Sequence, residues 1–329
     1  MHSWDKAKQY HQNSRHDYHR SAPSPGYMDW ENQPDPFRSY DGAKLIRLKK
    51  VPIDKRPFYH EALQPQKIVA HPLNFATLSQ LFFDSLAISA WKSFQGSKWA
   101  LRVNPSSGNL HPTEGYLICG PIEGINKVPS VSHYCPKNHG LEIRTTFSSQ
   151  TWEQMSEGFP KNTFFIGLSS IYWREAWKYG LRAFRYCHHD MGHALTAINI
   201  SCSVLGWRTQ LMDYLGAEQL EVVLGLHKKN KDEVEVPSCL IAITSQESAE
   251  NIKNSDFVTG FTDLKWSGEP NTLSNSHMDW QGIMEVSKAT QKTSTEGFPD
   301  FKRKTLQIIL QEDSFSVRKA IHQRRSAVA

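Results

Sequence analysis

The longest regular pattern of apolar and polar positions runs from Tyr172 to Trp207. Trp177, Leu181, Phe184, Met191, Leu195, Ile198, Cys202 and Leu205 recur at spacings of three, four or seven, which predicts one long helix, bent at Gly180, with an apolar stripe facing a core. Gly206 stands where such a helix needs a left-handed residue to end. Upstream, Asn74 offers a cap for a helix reaching Trp91, with Gly96 as its stop. Apolar runs at 115–120, 131–135, 139–144, 164–170 and 238–244 read as strands, and 213–226 as a short amphipathic helix. This mixture sets the class as α+β or α/β. Residues 1–45 read as an extended arm docking through Trp30, Phe37 and Tyr40. The main domain is expected over 46–245. A polar linker follows at 246–300, with Trp266 and Trp280 docking back, and helical period returns within 301–329.

Charge narrows the picture. The net charge is +5, and the segment from Phe301 carries all of it: Lys302, Arg303, Lys304, Arg318, Lys319, Arg324 and Arg325 against Glu312 and Asp313. The rest is balanced, so no nucleic-acid surface is implied. No apolar run is long enough to span a bilayer, and the N-terminus lacks the apolar stretch of a secretory signal. Five scattered cysteines without a CxxC read as reduced thiols of a cytoplasmic protein.

Three stretches carry candidate chemistry. The loop RVNPSSGNLHPTE (102–114) sets small residues, hydroxyls and free amides side by side. Gly108 permits close approach of a flat or anionic ligand and Arg102 offers a charge-assisted contact; the alternative is an ordinary turn. On the long helix, Arg174, Lys178, Arg182, Arg185, His189 and His193 repeat at helical spacing, either to receive an anion or as a solvated face. Lys178, with Arg174 and Arg182 near it, is expected to lose charge easily and act as a base with Tyr179 as proton donor; the alternative is a surface dipeptide. HDMGH (189–193) has the spacing of a metal-binding histidine pair, but Asp190 replaces the glutamate of a zinc protease and no third ligand is signalled, so no metal is expected.

Taken together, NPSSGNLHPTEGYL and WREAWKYGLRAFRYCHHDMGHAL, with MDWENQPDPFRSY near the start, resemble the SagB/ThcOx-type flavin dehydrogenases of the nitroreductase superfamily, in particular the larger members with two such halves in one chain. The resemblance covers roughly residues 8–245 and the tail. It implies an α+β fold with a mixed sheet wrapped by helices and a long central helix, and FMN bound at the seam between two subunits or halves. It makes Arg102, Pro105, Ser106, Ser107 and Gly108 cofactor contacts, and Lys178 and Tyr179 the catalytic pair that assists deprotonation while hydride passes to the flavin. NAD(P)H is a possible electron donor, and the substrate a small molecule or peptide.

Family members open with an Arg-Arg-Ser segment that holds the FMN phosphate. Here PFRSY makes Arg38 one substitute, while HQRRSAVA (322–329) looks like the opening of a second half, which makes Arg324 and Arg325 the others. The expectation is therefore a chain truncated at the start of its second half. It would work as a homodimer or by pairing with such a half; the alternative is a non-catalytic half-domain that binds a partner.

Overall fold

The computed structural model describes residues 2–64, 67–226, 233–245, 254–293 and 314–325. The helices are α1 (Ser3–Asn13), α2 (Tyr59–Ala62), α3 (Phe75–Ser85), α4 (Ser149–Ser156), α5 (Tyr172–Tyr179), α6 (Ala183–Val204), α7 (Ala217–Leu224), α8 (Gln281–Ala289) and α9 (Val317–Gln323). The strands are β1 (Tyr40–Asp41), β2 (Lys44–Arg47), β3 (Ile88–Phe94), β4 (Ser97–Arg102), β5 (Thr113–Cys119), β6 (Ser130–Cys135), β7 (Gly140–Thr146), β8 (Phe164–Ile171), β9 (Arg208–Leu211), β10 (Glu235–Thr244) and β11 (Glu269–Pro270). Seven strands form one sheet in the order β2-β7-β6-β5-β8-β10-β9. Every pairing in it is antiparallel, so the fold is α+β, with a more uniform sheet than the mixed one the resemblance implies.

Strand alternation builds two cores. On β5, β8 and β10, Leu117, Ile166, Leu168, Ile241 and Ile243 face one side, with α3 and α6. Tyr116, Ile118, Phe165, Leu240 and Ala242 face the other, with α7. Apolar residues at both parities explain why 164–170 reads as a continuous run.

The long helical stretch is two helices. Gly180 breaks it with φ 53°, and a Cβ there would lie 2.7–2.9 Å from Trp280 and the Pro23 carbonyl, so only glycine lets these segments close on the joint. The apolar stripe accordingly divides. Met191, Ile198, Cys202 and Leu205 join the sheet core, while Trp177, Leu181 and Phe184 join a third cluster with Leu273 and Ile283.

Four expectations are corrected. The helix from Asn74 stops at Ser85, and Ile88–Phe94 pairs with Ser97–Arg102 as a hairpin whose turn is Gln95-Gly96. Its alternating residues mimic helical spacing over so short a run. The opening residues form a helix, α1, whose Tyr10 hydroxyl donates to the Leu181 carbonyl at 2.7 Å. Phe37 and Tyr40 are buried as expected, but Trp30 is 66% exposed, edge-on to Trp177. The described part of the expected linker is packed beyond the docking of Trp266, which is buried as expected: β11 pairs with β1, and the Trp173 indole donates to Ser274 Oγ at 2.8 Å. Lys302, Arg303, Lys304 and Ser326–Ala329 lie outside the described residues. No described helix is long and apolar enough to cross a membrane, and the five cysteines are unpaired.

Candidate functional site

The loop between β4 and β5 turns sharply. Gly108, Asn109 and His111 have φ of 59°, 61° and 52°, a run of left-handed residues of which two are not glycine. Hydrogen bonds impose this shape. The His111 amide donates to Ser106 Oγ at 2.7 Å, Asn109 Nδ2 to the Ala100 carbonyl at 2.8 Å, and Arg174 Nη1 to the His111 carbonyl at 2.8 Å. Ser107 reaches across to α6, where its amide and hydroxyl both donate to the Asp190 carboxylate at 3.0–3.1 Å.

This loop lies on the end of α5. A Cβ added to Gly108 would come 2.7 Å from Tyr179 Oη and 3.2 Å from Lys178 Cδ, so glycine is required for the approach. Ser106, Ser107, Gly108, Lys178 and Tyr179, far apart in sequence, are thereby brought together, with Pro105 exposed at the loop's rim. Burial, with Glu175 next, pushes the Tyr179 hydroxyl up to about 12, so it keeps its proton at neutral pH.

The arginines divide into two groups. Arg324 reaches the start of the same loop and Arg325 reaches β3, because α9 docks on α3. Arg318, fully buried, donates to both Asp84 oxygens at 2.6 and 3.2 Å, and His322 pairs with Asp84 at 2.7 Å and stacks on Phe83. This leaves Arg324 Nη2 donating to the Val103 carbonyl at 3.2 Å and Arg325 Nη2 to the Ser89 carbonyl at 3.5 Å. Both are exposed and bonded only to carbonyls, so among the described residues no carboxylate neutralises them. Such a donor set suits a phosphate. Arg38 and Arg102, by contrast, are buried in the frame. Arg38 donates to the Asn271 carbonyl and pairs with Glu233 at 3.6 Å. Arg102 donates to the Pro36 and Thr113 carbonyls, and burial lowers its guanidinium to about 10.

The cations of the long helix do not share a face. Arg174 is turned to Glu114 in the interior, while Arg182 and Arg185 tie down α1 through the Ser14 carbonyl and hydroxyl at 2.6 and 2.8 Å. What faces Lys178 from its own helix is Glu175, completely buried. His189 and His193 are exposed while Asp190 turns inward, and no described group of His, Cys, Asp and Glu is arranged to hold a metal.

Sequence reasoning missed Asp190 and Glu175 as part of this site. Glu175 was recoverable, since it stands three and four residues before Lys178 and Tyr179 and so shares their helical face. The Asp190 bond to Ser107 spans 83 residues and has no local signal.

No family model matches the chain. A Methanocaldococcus jannaschii protein designated a nitroreductase is 24% identical over 170 residues, which is 50% of this chain and 77% of the relative. A solved structure from Anabaena variabilis, with the same designation, superposes with a TM-score of 0.63 at 21% identity. It matches 98% of this chain, which spans only 63% of that longer one. A chain of the Escherichia coli microcin synthetase McbBCD complex, solved with truncated pro-MccB17 bound, gives a TM-score of 0.41 at 16% identity, too low to carry any conclusion. In its fold, the chain is nitroreductase-like.

Proposed function

We propose that the chain is an FMN-dependent oxidoreductase of the nitroreductase type that moves hydride between flavin and a small-molecule or peptide substrate. One observation carries this reading: the Ser106–Gly108 loop lies on the Lys178–Tyr179 pair, while the uncompensated Arg324 bonds Val103 at the start of that loop and Arg325 bonds Ser89 on β3. Arg324 and Arg325 would hold the phosphate, and the loop's amides and hydroxyls would line the flavin. FMN supplies the electron sink. Lys178 would take or deliver the substrate proton, with Tyr179 staying protonated as a hydrogen-bond donor.

NAD(P)H as donor, and the narrower SagB-type oxidation of modified peptides, are extensions of this reading that rest on the sequence resemblance. So is pairing with a second copy or a second half. The β3–β4 hairpin supports it, since Trp91, Phe94 and Trp99 are 49%, 65% and 37% exposed beside Arg325.

The test is the visible absorption of the purified chain with and without excess FMN, with gel filtration alongside. Flavin bound in stoichiometric amount supports the reading, and Lys178→Ala should then lose turnover with flavin retained. A chain that binds no flavin, as a monomer or a dimer, overturns it in favour of a non-catalytic half.

A further inference from the structure

Glu175 is completely buried, and neither of its carboxylate oxygens meets a hydrogen-bond donor of ordinary geometry among the described residues. Among the groups it faces is another acceptor, the carboxylate of Asp190, itself only 1% exposed. Two deprotonated carboxylates in such a place repel one another with no water to screen them. One proton between them turns the same contact into an O–H···O hydrogen bond.

The surroundings say where that proton sits. Asp190 already accepts three hydrogen bonds, all from the Ser107 amide and hydroxyl, so both its oxygens are engaged as acceptors. Neither Glu175 oxygen has a donor of comparable geometry. We propose that Glu175 and Asp190 share a single proton, resident on Glu175, which forms a proton store behind the Ser106–Gly108 loop and at the foot of Lys178 and Tyr179. The groups facing the pair are Lys178 and Tyr179 from α5, Cys187 and His193 from α6, the latter with Nδ1 3.6 Å from Asp190, and Ser106 and Ser107 from the loop. Burial first, then Asp190, pushes the Glu175 carboxyl well above its usual range, against the weaker opposing effects of Lys178 and Ser106.

The store rests on the proposed function only for its use. When Lys178 is neutral after giving up a proton, the Glu175 O–H bond breaks and a Lys178 N–H bond forms. Carboxylic acid and amine become carboxylate and ammonium, and charge is conserved. A proton from solvent then returns to Glu175, because two adjacent buried carboxylates repel one another. Glu175 touches no reacting atom and is a positioning residue.

The test is infrared spectroscopy of the full chain without added flavin. A protonated carboxyl should give an acid carbonyl band at pH 7 that shifts in D2O, survives well above the ordinary carboxylate range of about 4, and disappears in Glu175→Gln. Absence of the band from the unsubstituted chain, or its persistence in a folded Glu175→Gln, overturns the proposal whether or not flavin binds. With FMN loaded, Glu175→Gln should displace one limb of the pH–rate profile and Glu175→Asp should restore it. An unmoved profile overturns the positioning role, while failure to bind FMN at all counts against the flavin reading and leaves the infrared result to decide the shared proton.

Discussion

Two buried glutamates on neighbouring elements show how much a carboxyl depends on its company. Glu114 on β5 is held by the Arg174 guanidinium and by His133 Nε2 at 2.9 Å, and His133 Nδ1 in turn meets Glu142 at 2.9 Å. Burial pushes the Glu114 carboxyl up, but Arg174 and then His133 outweigh it and hold the group at about 2. Glu175 on α5 is just as deeply buried, has no cation bonded to it, and faces Asp190, so it moves the opposite way. The first arrangement is a rivet: charged, ion-paired and joined through Arg174 Nε to the Asp35 carbonyl of the opening segment. The second is unsaturated and lies under the proposed reaction site, where an incompletely satisfied polar group is tolerated for what it does.

The sharpest way to break this contrast is to remove the cation from the rivet. Arg174→Leu should cost ~3–5 kcal/mol, because Glu114 is left buried without its guanidinium and with His133 as its remaining partner. Urea unfolding measures it, and a loss below ~1 kcal/mol would mean the rivet is not charged.

A second test uses pH. His139 is buried against Ser79 and Tyr134, and burial, aided by Lys50, lowers its imidazole to about 4. Its folded value lies below the ordinary 6.5, so its contribution is complete above pH 6.5 and fades as pH falls toward 4, by ~2–3 kcal/mol in all. Glu114, depressed from 4.5 to about 2, loses its contribution only in the window below that. His133 acts in the reverse sense. Burial lowers it, but Glu114 and Glu142 raise it further, so its contribution is lost as pH rises through its folded value. His139→Gln should therefore flatten the unfolding curve between pH 6.5 and 4 while leaving the steep acid limb. An unchanged slope in the upper window would show that another group carries it.

The smallest expected effect concerns the second glutamate. Glu175→Gln replaces one neutral group by another of the same shape and should change stability by less than ~1 kcal/mol, whereas Glu114→Gln should cost several. Equal losses in urea unfolding would erase the distinction between the two sites.

How much of this is readable from the chain depends on distance along it. The central strands announce themselves by apolar runs, and the Asn74 cap accepts from the Ala76 and Thr77 amides at 2.9 and 3.1 Å, as its position predicts. Ile88–Phe94 reads as helix because seven residues fit either period, and only pairing with Ser97–Arg102 decides between them. In the site, the loop and the Lys178–Tyr179 pair stand out by residue type and resemblance. Their meeting depends on the left-handed turn at Gly108 and on the Ser107–Asp190 bonds, which no local pattern encodes. Arg38 and Arg102 look like ligands because sequence shows charge and not burial. Asn271, Glu233 and Pro36, which occupy them, lie up to 233 residues away.

The measurement that bears most directly on the proposed site is an FMN titration of Arg324→Ala/Arg325→Ala beside the unsubstituted chain, followed by visible absorption. Each arginine is exposed and bonded only to carbonyls, so the unfolding midpoint should stay in place. Flavin affinity should fall by roughly 10- to 100-fold for each arginine–phosphate hydrogen bond removed. Equal affinity in the two proteins would contradict the account, because the phosphate would then be held somewhere other than at Arg324 and Arg325.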